Sequence, residues 1–351
     1  MLRIVARRSR DVTYFTHDPA RELDGLRADG PGWWLRGEGD TRDARVVGEV
    51  LTGSPRANVV GYDMVFAAPR PISVLLALDE GSAPAVVAAH RTSVAAAMNY
   101  LEERAVLVRT QVAGERYDFA ARWQSVVAFT HGVNRHGEPH LHDHVLVGSR
   151  PADEETVLDR QSLVAHALTA DALYLTSLRH EVNSRTHWRA WRSFYGNEHV
   201  VGVDEGYRVL WGGHHDDRGT KVRWSREQAR HAWRDDLARY VSQASPAAPR
   251  QRFDAHSYGA AFEGLVRVTR RDVVAALANA SVFGDRAANI EASVSRLAPE
   301  LARERGVREA SITVAHARSI SREHALPEWS SLSRLDLTQR ERSREVADRS
   351  R

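Results

Sequence analysis

The 351-residue sequence has no cysteine and a single lysine, Lys221, and none of its apolar runs approaches the length of a membrane span. Without cysteine, disulfides, thiolate metal ligands and cysteine nucleophiles are excluded, so a bound metal would need His, Asp or Glu ligands. Residues 1–18 are basic but have neither the apolar stretch nor the small-residue cleavage site of a signal peptide. A GxxxxGK[ST] phosphate loop is also absent, which excludes a P-loop ATPase motor from this chain. We therefore expect a cytoplasmic protein with no membrane partner.

What the chain does contain is an ordinary globular balance, with 42% hydrophobic and 27% charged residues. Strand patterns predominate in the first part of the chain, at 2–6, 61–67, 105–112, 122–130 and 141–147, and a short strand pair is predicted within 198–211. Helical spacing is found at 72–104, 168–187, 224–243 and twice within 270–304. The stretch 18–56 is rich in Gly, Asp, Arg and Pro and is predicted to be mostly loop.

Histidine is abundant, with 17 residues, and five of them lie in the segment 131–144. His140, His142 and His144 alternate, so on a β-strand their side chains point to one face of the sheet. The turn-forming stretch GVNRHGEP precedes this strand and favours a hairpin, which brings His131 alongside it. Imidazole is a good ligand for divalent transition metals, so the hairpin predicts a metal site.

Two other histidine patterns come close to this segment. Histidine-triad nucleotide hydrolases have H-x-H-x-H with apolar residues between the histidines, whereas Asp143 precedes the last histidine here. Metallo-β-lactamases have H-x-H-x-D-H, and one residue is missing before the aspartate in this chain. Both families are alternatives that match less well than a third one.

The segment 131–144 resembles the third motif of conjugative relaxases of the F-plasmid and R388 type, which reads H-x-x-S-R and then D-P-x-L-H-x-H. Besides the histidines, three motif residues are present: Arg135, Pro139 and Leu141. Two are replaced: Asn134 stands for Ser and Glu138 for Asp. The resemblance selects His131, His142 and His144 as metal ligands and leaves His140 outside the ligand set.

A second stretch, 61–78, is similar to the segment G-x-D-x-T-F-S-A-P-K-S-V-S of the same family. Asp63 matches the carboxylate that the family keeps beside its nucleophile, and Arg70-Pro71 replaces Lys-Ser. Two roles for Asp63 are open: it accepts the proton of the nucleophile, or it orients His131 or another ligand.

The nucleophile of these relaxases is a tyrosine that follows the first strand, and Tyr14 is the only tyrosine before Tyr62. Family members often have paired tyrosines in this region, whereas Phe15 follows Tyr14 here. The residues alone would make Tyr14 an ordinary half-buried aromatic; its role as nucleophile is implied by the resemblance, which covers roughly residues 1–245.

The resemblance implies an α/β (α+β) fold of the His-hydrophobe-His (HUH) endonuclease type, with a central antiparallel sheet of about five strands flanked by helices and a mainly helical C-terminal part. It implies a relaxase domain at 1–245, and we expect a helical extension at 246–330 and a flexible tail at 331–351. The implied reaction is site- and strand-specific DNA nicking at an origin of transfer, which leaves a 5′-phosphotyrosyl bond at Tyr14 and a free 3′-hydroxyl and initiates conjugative plasmid transfer.

The implied cofactor is a divalent metal ion, Mg²⁺ or Mn²⁺ first and Zn²⁺ or Ni²⁺ second. The implied partners are single-stranded or supercoiled DNA and, in trans, a helicase, accessory DNA-binding proteins and coupling proteins. Three alternatives stay open. They are a rolling-circle replication initiator or transposase of the same superfamily, a DNA-binding homologue that has lost nicking, and a metal-dependent hydrolase without a tyrosine nucleophile.

Overall fold

The computed structural model describes residues 1–16, 32–53, 58–112, 115–134, 136–151, 157–192, 196–203, 210–211, 226–243, 267–301 and 311–312, together with the single residues 262, 265, 317 and 320. The composition of residues 242–252 predicts a linker, and all of it but residues 242 and 243 lies outside this set, as do the tail at 331–351, Arg135 and Lys221.

The described strands are β1 (Leu2–Arg7), β2 (Trp33–Arg36), β3 (Gly61–Ala67), β4 (Leu107–Val112), β5 (Glu115–Ala120), β6 (Val126–Val133), β7 (Pro139–Gly148), β8 (Ala190–Arg192), β9 (Glu198–Val200), β10 (Val268–Thr269) and β11 (Ser311–Ile312). Five of them form one antiparallel sheet in the order β1-β3-β7-β6-β2. The described helices are α1 (Ala44–Glu49), α2 (Arg70–Leu78), α3 (Ala83–Arg104), α4 (Arg160–Arg185), α5 (Arg226–Gln243), α6 (Arg270–Ala280) and α7 (Ala287–Leu297). A five-stranded antiparallel sheet with flanking helices confirms the predicted fold class.

The membership of the sheet differs from the sequence pattern at its edge. The four residues of β2 lie in the stretch predicted to be loop, and they pair with β6 as the fifth strand. The predicted strand at 105–112 instead forms β4 and pairs with β5 in a separate two-stranded ribbon. A four-residue edge strand is too short to show a hydrophobic period, which is why the pattern missed it.

Two further predictions were wrong in detail. The predicted helix 72–104 is two helices, because Asp79 leaves the helical conformation at the end of α2 and its carboxylate accepts a hydrogen bond from the Ser82 amide at 3.1 Å. The predicted strand pair within 198–211 is also different, because β9 pairs with β8, which precedes that range. Residues 204–209 lie outside the described set.

The sheet has a buried core on each face, because side chains alternate along its strands. The larger core lies between one face and the long helices, and it contains Met64, Phe66 and Val145. The smaller core lies on the other face, where Phe129 and Leu146 pack against the N-terminal segment and α1. Even-numbered residues of β7 near Leu146 therefore point toward the smaller core.

The C-terminal helices α6 and α7 pack beside α4 and contribute Val273 and Ile290 to the larger core. A capping box formed by Thr269 and Asp272 begins α6. Both helices lie where helical spacing predicted two, within 270–304. None of the helices in the described part of the chain has the length and apolar character that crossing a lipid bilayer requires.

Candidate active site

The histidines selected from the sequence come together on two neighbouring strands. His131 of β6 is the direct cross-strand partner of His142 of β7, and His144 follows two residues later on the same face. The ring centroids of these three histidines are 5.1–5.4 Å apart. His140 lies next to them, with its ring centroid 4.7 Å from that of His142. The predicted hairpin thus clusters all four imidazoles at one end of the sheet.

Hydrogen bonds fix which nitrogen of two rings can act as a ligand. Nδ1 of His144 lies 3.0 Å from both carboxylate oxygens of Asp63, which is buried on β3 at 7% exposure. Nδ1 of His142 lies 2.8 Å from the backbone carbonyl of His140. A carbonyl can only accept, and a carboxylate favours a donor, so both Nδ1 atoms act as donors and Nε2 is the nitrogen left to act as a ligand. This is the tautomer that a ligating histidine uses when a second group orients it.

The protonation states of His140 and His142 also suit the binding of a cation. Burial, followed by the neighbouring His131, His140 and His144, lowers the pKa of His142 well below its ordinary value. Burial, followed by the charge of Arg70, lowers the pKa of His140 to about 4. Both rings are therefore neutral at physiological pH, as metal ligation requires.

The donor set and the ring spacing of 5.1–5.4 Å suit a divalent ion, but the three side chains do not yet form a complete site. In the described part of the chain, no three His, Asp or Glu side chains are arranged so that they could hold an ion as they stand. Sharing one ion would therefore require His131, His142 and His144 to adjust their present positions.

Tyr14 lies directly beside the histidines. Its ring stacks on that of His131 with centroids 5.9 Å apart, and its centroid is 6.0 Å from that of His144. The side chain is 43% exposed, whereas the following Phe15 is only 2% exposed and packs on Phe129. The structure thus brings the predicted nucleophile, the predicted ligands and Asp63 together, with Asp63 in contact with His144.

Residues that depart from the family motif meet in the turn between β6 and β7. The Asn134 side-chain oxygen accepts hydrogen bonds from the His136 and Glu138 amides at 2.9 and 3.0 Å, and its amide nitrogen donates to the Glu138 carboxylate at 2.6 Å. Arg70 donates to the carbonyl of Pro139 at 2.8 Å and lies 3.7 Å from the same carboxylate. Asn134, Glu138 and Arg70 therefore stabilise one turn together, and that turn connects the two strands that carry the histidines.

This turn is also held from outside. Gly137 adopts a positive φ of 84°, and its carbonyl accepts a hydrogen bond from the indole of Trp233 at 2.7 Å. Trp233 is buried and belongs to α5, so a helix far along the sequence fixes the turn beside the histidines. The motif comparison did not identify this contact, because nothing local to 131–144 points to α5.

A buried polar network on the opposite face of β7 was also missed from the sequence. Asp143 points into the larger core, where its carboxylate lies 3.2 Å from Nε2 of His90, and both side chains are fully buried. Nδ1 of His90 lies 2.9 Å from the hydroxyl of Tyr174. Burial alone would raise the pKa of Asp143, but the nearby charge of His90 contributes to lowering it. Strand alternation could have indicated this network. Asp143 lies between His142 and His144, so its side chain must point to the opposite face of the sheet, into the larger core.

Comparison with models of known protein families identifies the family of this chain. A profile described as TrwC relaxase matches residues 8–211. The chain belongs to the TrwC relaxase family. The resemblance inferred from the sequence is thereby confirmed, and this relaxase is an enzyme of that family. No curated protein sequence matches the chain.

Solved structures show the same fold at low sequence identity. A metal-free conjugative relaxase TrwC in complex with oriT DNA is 18% identical, covers 69% of this chain and 99% of its own, and has a TM-score of 0.53. TrwC complexed with a 27-mer DNA that comprises the recognition hairpin and the cleavage site has the same identity and coverage, with a TM-score of 0.52. A copper-bound complex of TrwC with oriT DNA also has a TM-score of 0.52, at 18% identity and the same coverage. At this identity the matches establish the fold of this relaxase.

Proposed function

We propose that this relaxase nicks one strand of DNA by transesterification, with Tyr14 as the nucleophile. The observation that carries the proposal is the exposed Tyr14 ring stacked on His131 at 5.9 Å, beside the other histidines. The phenolic oxygen forms a bond to phosphorus, and the bond from phosphorus to the 3′ oxygen breaks. The phenol loses its proton and the departing 3′ oxygen gains one, so the products are a 5′-phosphotyrosyl bond and a free 3′-hydroxyl.

His131, His142 and His144 are the residues that would hold a divalent cation in this proposal. When bound, such an ion supplies positive charge that polarises the scissile phosphate. Three neutral imidazoles leave the full charge of the ion available to the anionic phosphate. Mg²⁺ and Mn²⁺ are the ions we expect first, then Zn²⁺ or Ni²⁺; related TrwC structures are described as metal-bound and copper-bound.

Asp63 acts through His144 in this proposal. Its two oxygens lie equally close to Nδ1 of His144, so it holds the ring and favours the tautomer with a free Nε2. This role is preferred over direct proton abstraction because the carboxylate is already engaged and nearly buried.

The DNA substrate is proposed to be an origin of transfer, in keeping with the oriT complexes of the related structures. The activity is assigned to residues 1–245, with 246–330 as a helical extension. A helicase and accessory or coupling proteins in trans remain part of this proposal.

The decisive experiment looks for a covalent adduct. A labelled single-stranded oligonucleotide that contains the origin sequence is incubated with the protein and a divalent ion, and adducts are separated by denaturing electrophoresis. We expect an adduct with the wild type, none after chelation and none with Tyr14→Phe. Tyr117→Phe is the matched control, because Tyr117 is also exposed but lies on the β4–β5 ribbon.

Two of the alternatives, and a different nucleophile, each predict a different outcome. Binding without cleavage would indicate a homologue that has lost nicking. Cleavage without an adduct would indicate a metal-dependent hydrolase, and an adduct on another tyrosine would overturn the assignment of Tyr14.

A further inference from the structure

Tyr14 is carried by a short turn whose hydrogen bonds begin at Asp11. The Asp11 carboxylate accepts hydrogen bonds from the Thr13 amide at 3.0 Å and the Thr13 hydroxyl at 2.7 Å. The Val12 carbonyl then accepts hydrogen bonds from the amides of Phe15 and Thr16 at 2.8 and 3.1 Å. Residues 12–16 therefore form a single helix-like turn, and the Asp11 side chain closes an Asx-type turn at its start.

One side of this turn is buried in the protein, and the other side is exposed. Val12, Phe15 and Thr16 are buried, and Phe15 packs against Phe129 and the ring of His144. Thr13 and Tyr14 are exposed. The buried side chains thus anchor the turn to the smaller core, while the turn itself sets the direction of the exposed Tyr14 ring.

A single turn of five residues has few hydrogen bonds to offset the entropy of ordering its backbone. The hydrogen bonds that the Asp11 carboxylate accepts from Thr13 are therefore a substantial part of what holds the turn in place. Because the rate of a bimolecular displacement depends steeply on alignment, loss of the turn would reduce the fraction of molecules in which the phenol is correctly placed.

From these contacts we infer that Asp11 is a positioning residue for Tyr14: its carboxylate holds the start of the turn that places the phenol over His131. The inference rests on the proposed role of Tyr14 as nucleophile. Asp11 needs no contact with DNA or metal in this role, since it acts through the backbone of residues 12–16.

The test compares Asp11→Ala with Asp11→Asn in single-turnover cleavage at saturating oligonucleotide and metal. Asparagine keeps a side-chain oxygen that accepts the same hydrogen bonds but removes the charge. We expect Asp11→Ala to slow adduct formation by about fivefold, the net loss of a typical hydrogen bond expressed as a rate. The dissociation constants for oligonucleotide and metal should not change, and Asp11→Asn should restore most of the rate.

Asp40→Ala provides the matched control. Asp40 is an exposed aspartate whose carboxylate accepts a hydrogen bond from the Arg42 amide at 2.9 Å, in a turn that does not carry Tyr14. Its removal should leave the cleavage rate unchanged.

Two results would overturn the inference. One is a wild-type rate for Asp11→Ala, and the other is an equal loss in Asp11→Ala and Asp11→Asn, which would point to the charge of Asp11 rather than to its hydrogen bonds. An adduct that survives Tyr14→Phe would instead refute the proposed nucleophile. The two failures are therefore distinguishable.

Discussion

Replacing Asp63 separates the two roles that the sequence left open for this carboxylate. Both of its oxygens lie 3.0 Å from Nδ1 of His144, so Asp63→Ala removes the group that orients this ring. Loss of such a partner of a ligating histidine costs about 10- to 100-fold in metal affinity, which corresponds to about 1.4–2.7 kcal/mol. Asp63→Asn should have an intermediate effect, because its side-chain oxygen can still accept the bond without the charge.

The assay measures metal affinity by calorimetry and adduct formation across a metal titration. If Asp63 acts through His144, the Asp63→Ala variant should recover most of its cleavage rate at high metal concentration. If Asp63 instead takes the proton of Tyr14, the rate should stay low when the metal is saturating. Wild-type metal affinity in Asp63→Ala would refute the reasoning from the Asp63–His144 contact.

Three further predictions concern the ligands, the nucleophile and the buried network. His142→Ala should abolish both metal retention and nicking, whereas His140→Ala should have a milder effect on both; a His142→Ala variant with stoichiometric metal and full activity would contradict the ligand assignment. One molecule should form one adduct, because Tyr14 is the one tyrosine of the described residues whose ring contacts the histidines of the proposed site; two adducts on one chain with a two-site oligonucleotide would exclude this. His90→Leu should lower the free energy of unfolding by about 3–5 kcal/mol because it leaves the Asp143 carboxylate buried without its partner, and adding Asp143→Val should recover most of that loss in denaturant titrations; a double variant no more stable than the single one would contradict it.

The sequence predicted the fold class and the cluster because both depend on local patterns. Alternation along β7 and a turn before it were enough to bring His142 and His144 beside His131. The family motif then selects these three, and not His140, as the proposed ligands. Tyr14 could be assigned only through the resemblance, because a single aromatic after a strand has no chemical signature of its own.

The features that the sequence did not reveal depend on contacts between distant segments. Trp233 reaches the β6–β7 turn across 96 residues, and His90 meets Asp143 across 53. The hydrogen bonds of Asp11 are local in the sequence. Their effect on Tyr14 becomes clear only from the structure, because the buried Phe15 gives the turn a fixed orientation. Substitutions that looked like departures from the motif, such as Glu138, prove to be bonded to one another in the same turn.

Locating the DNA on the protein tests the central claim most directly. Trypsin should release residues 11–21 as one peptide, because Arg10 and Arg21 flank a segment with no other basic cleavage site, and Tyr14 is its single tyrosine. After cleavage of the oligonucleotide and digestion of both polymers, tandem mass spectrometry should find the 5′-nucleotide remnant on Tyr14 of this peptide. A remnant on any other residue, or nicked DNA with this peptide unmodified, would contradict the account.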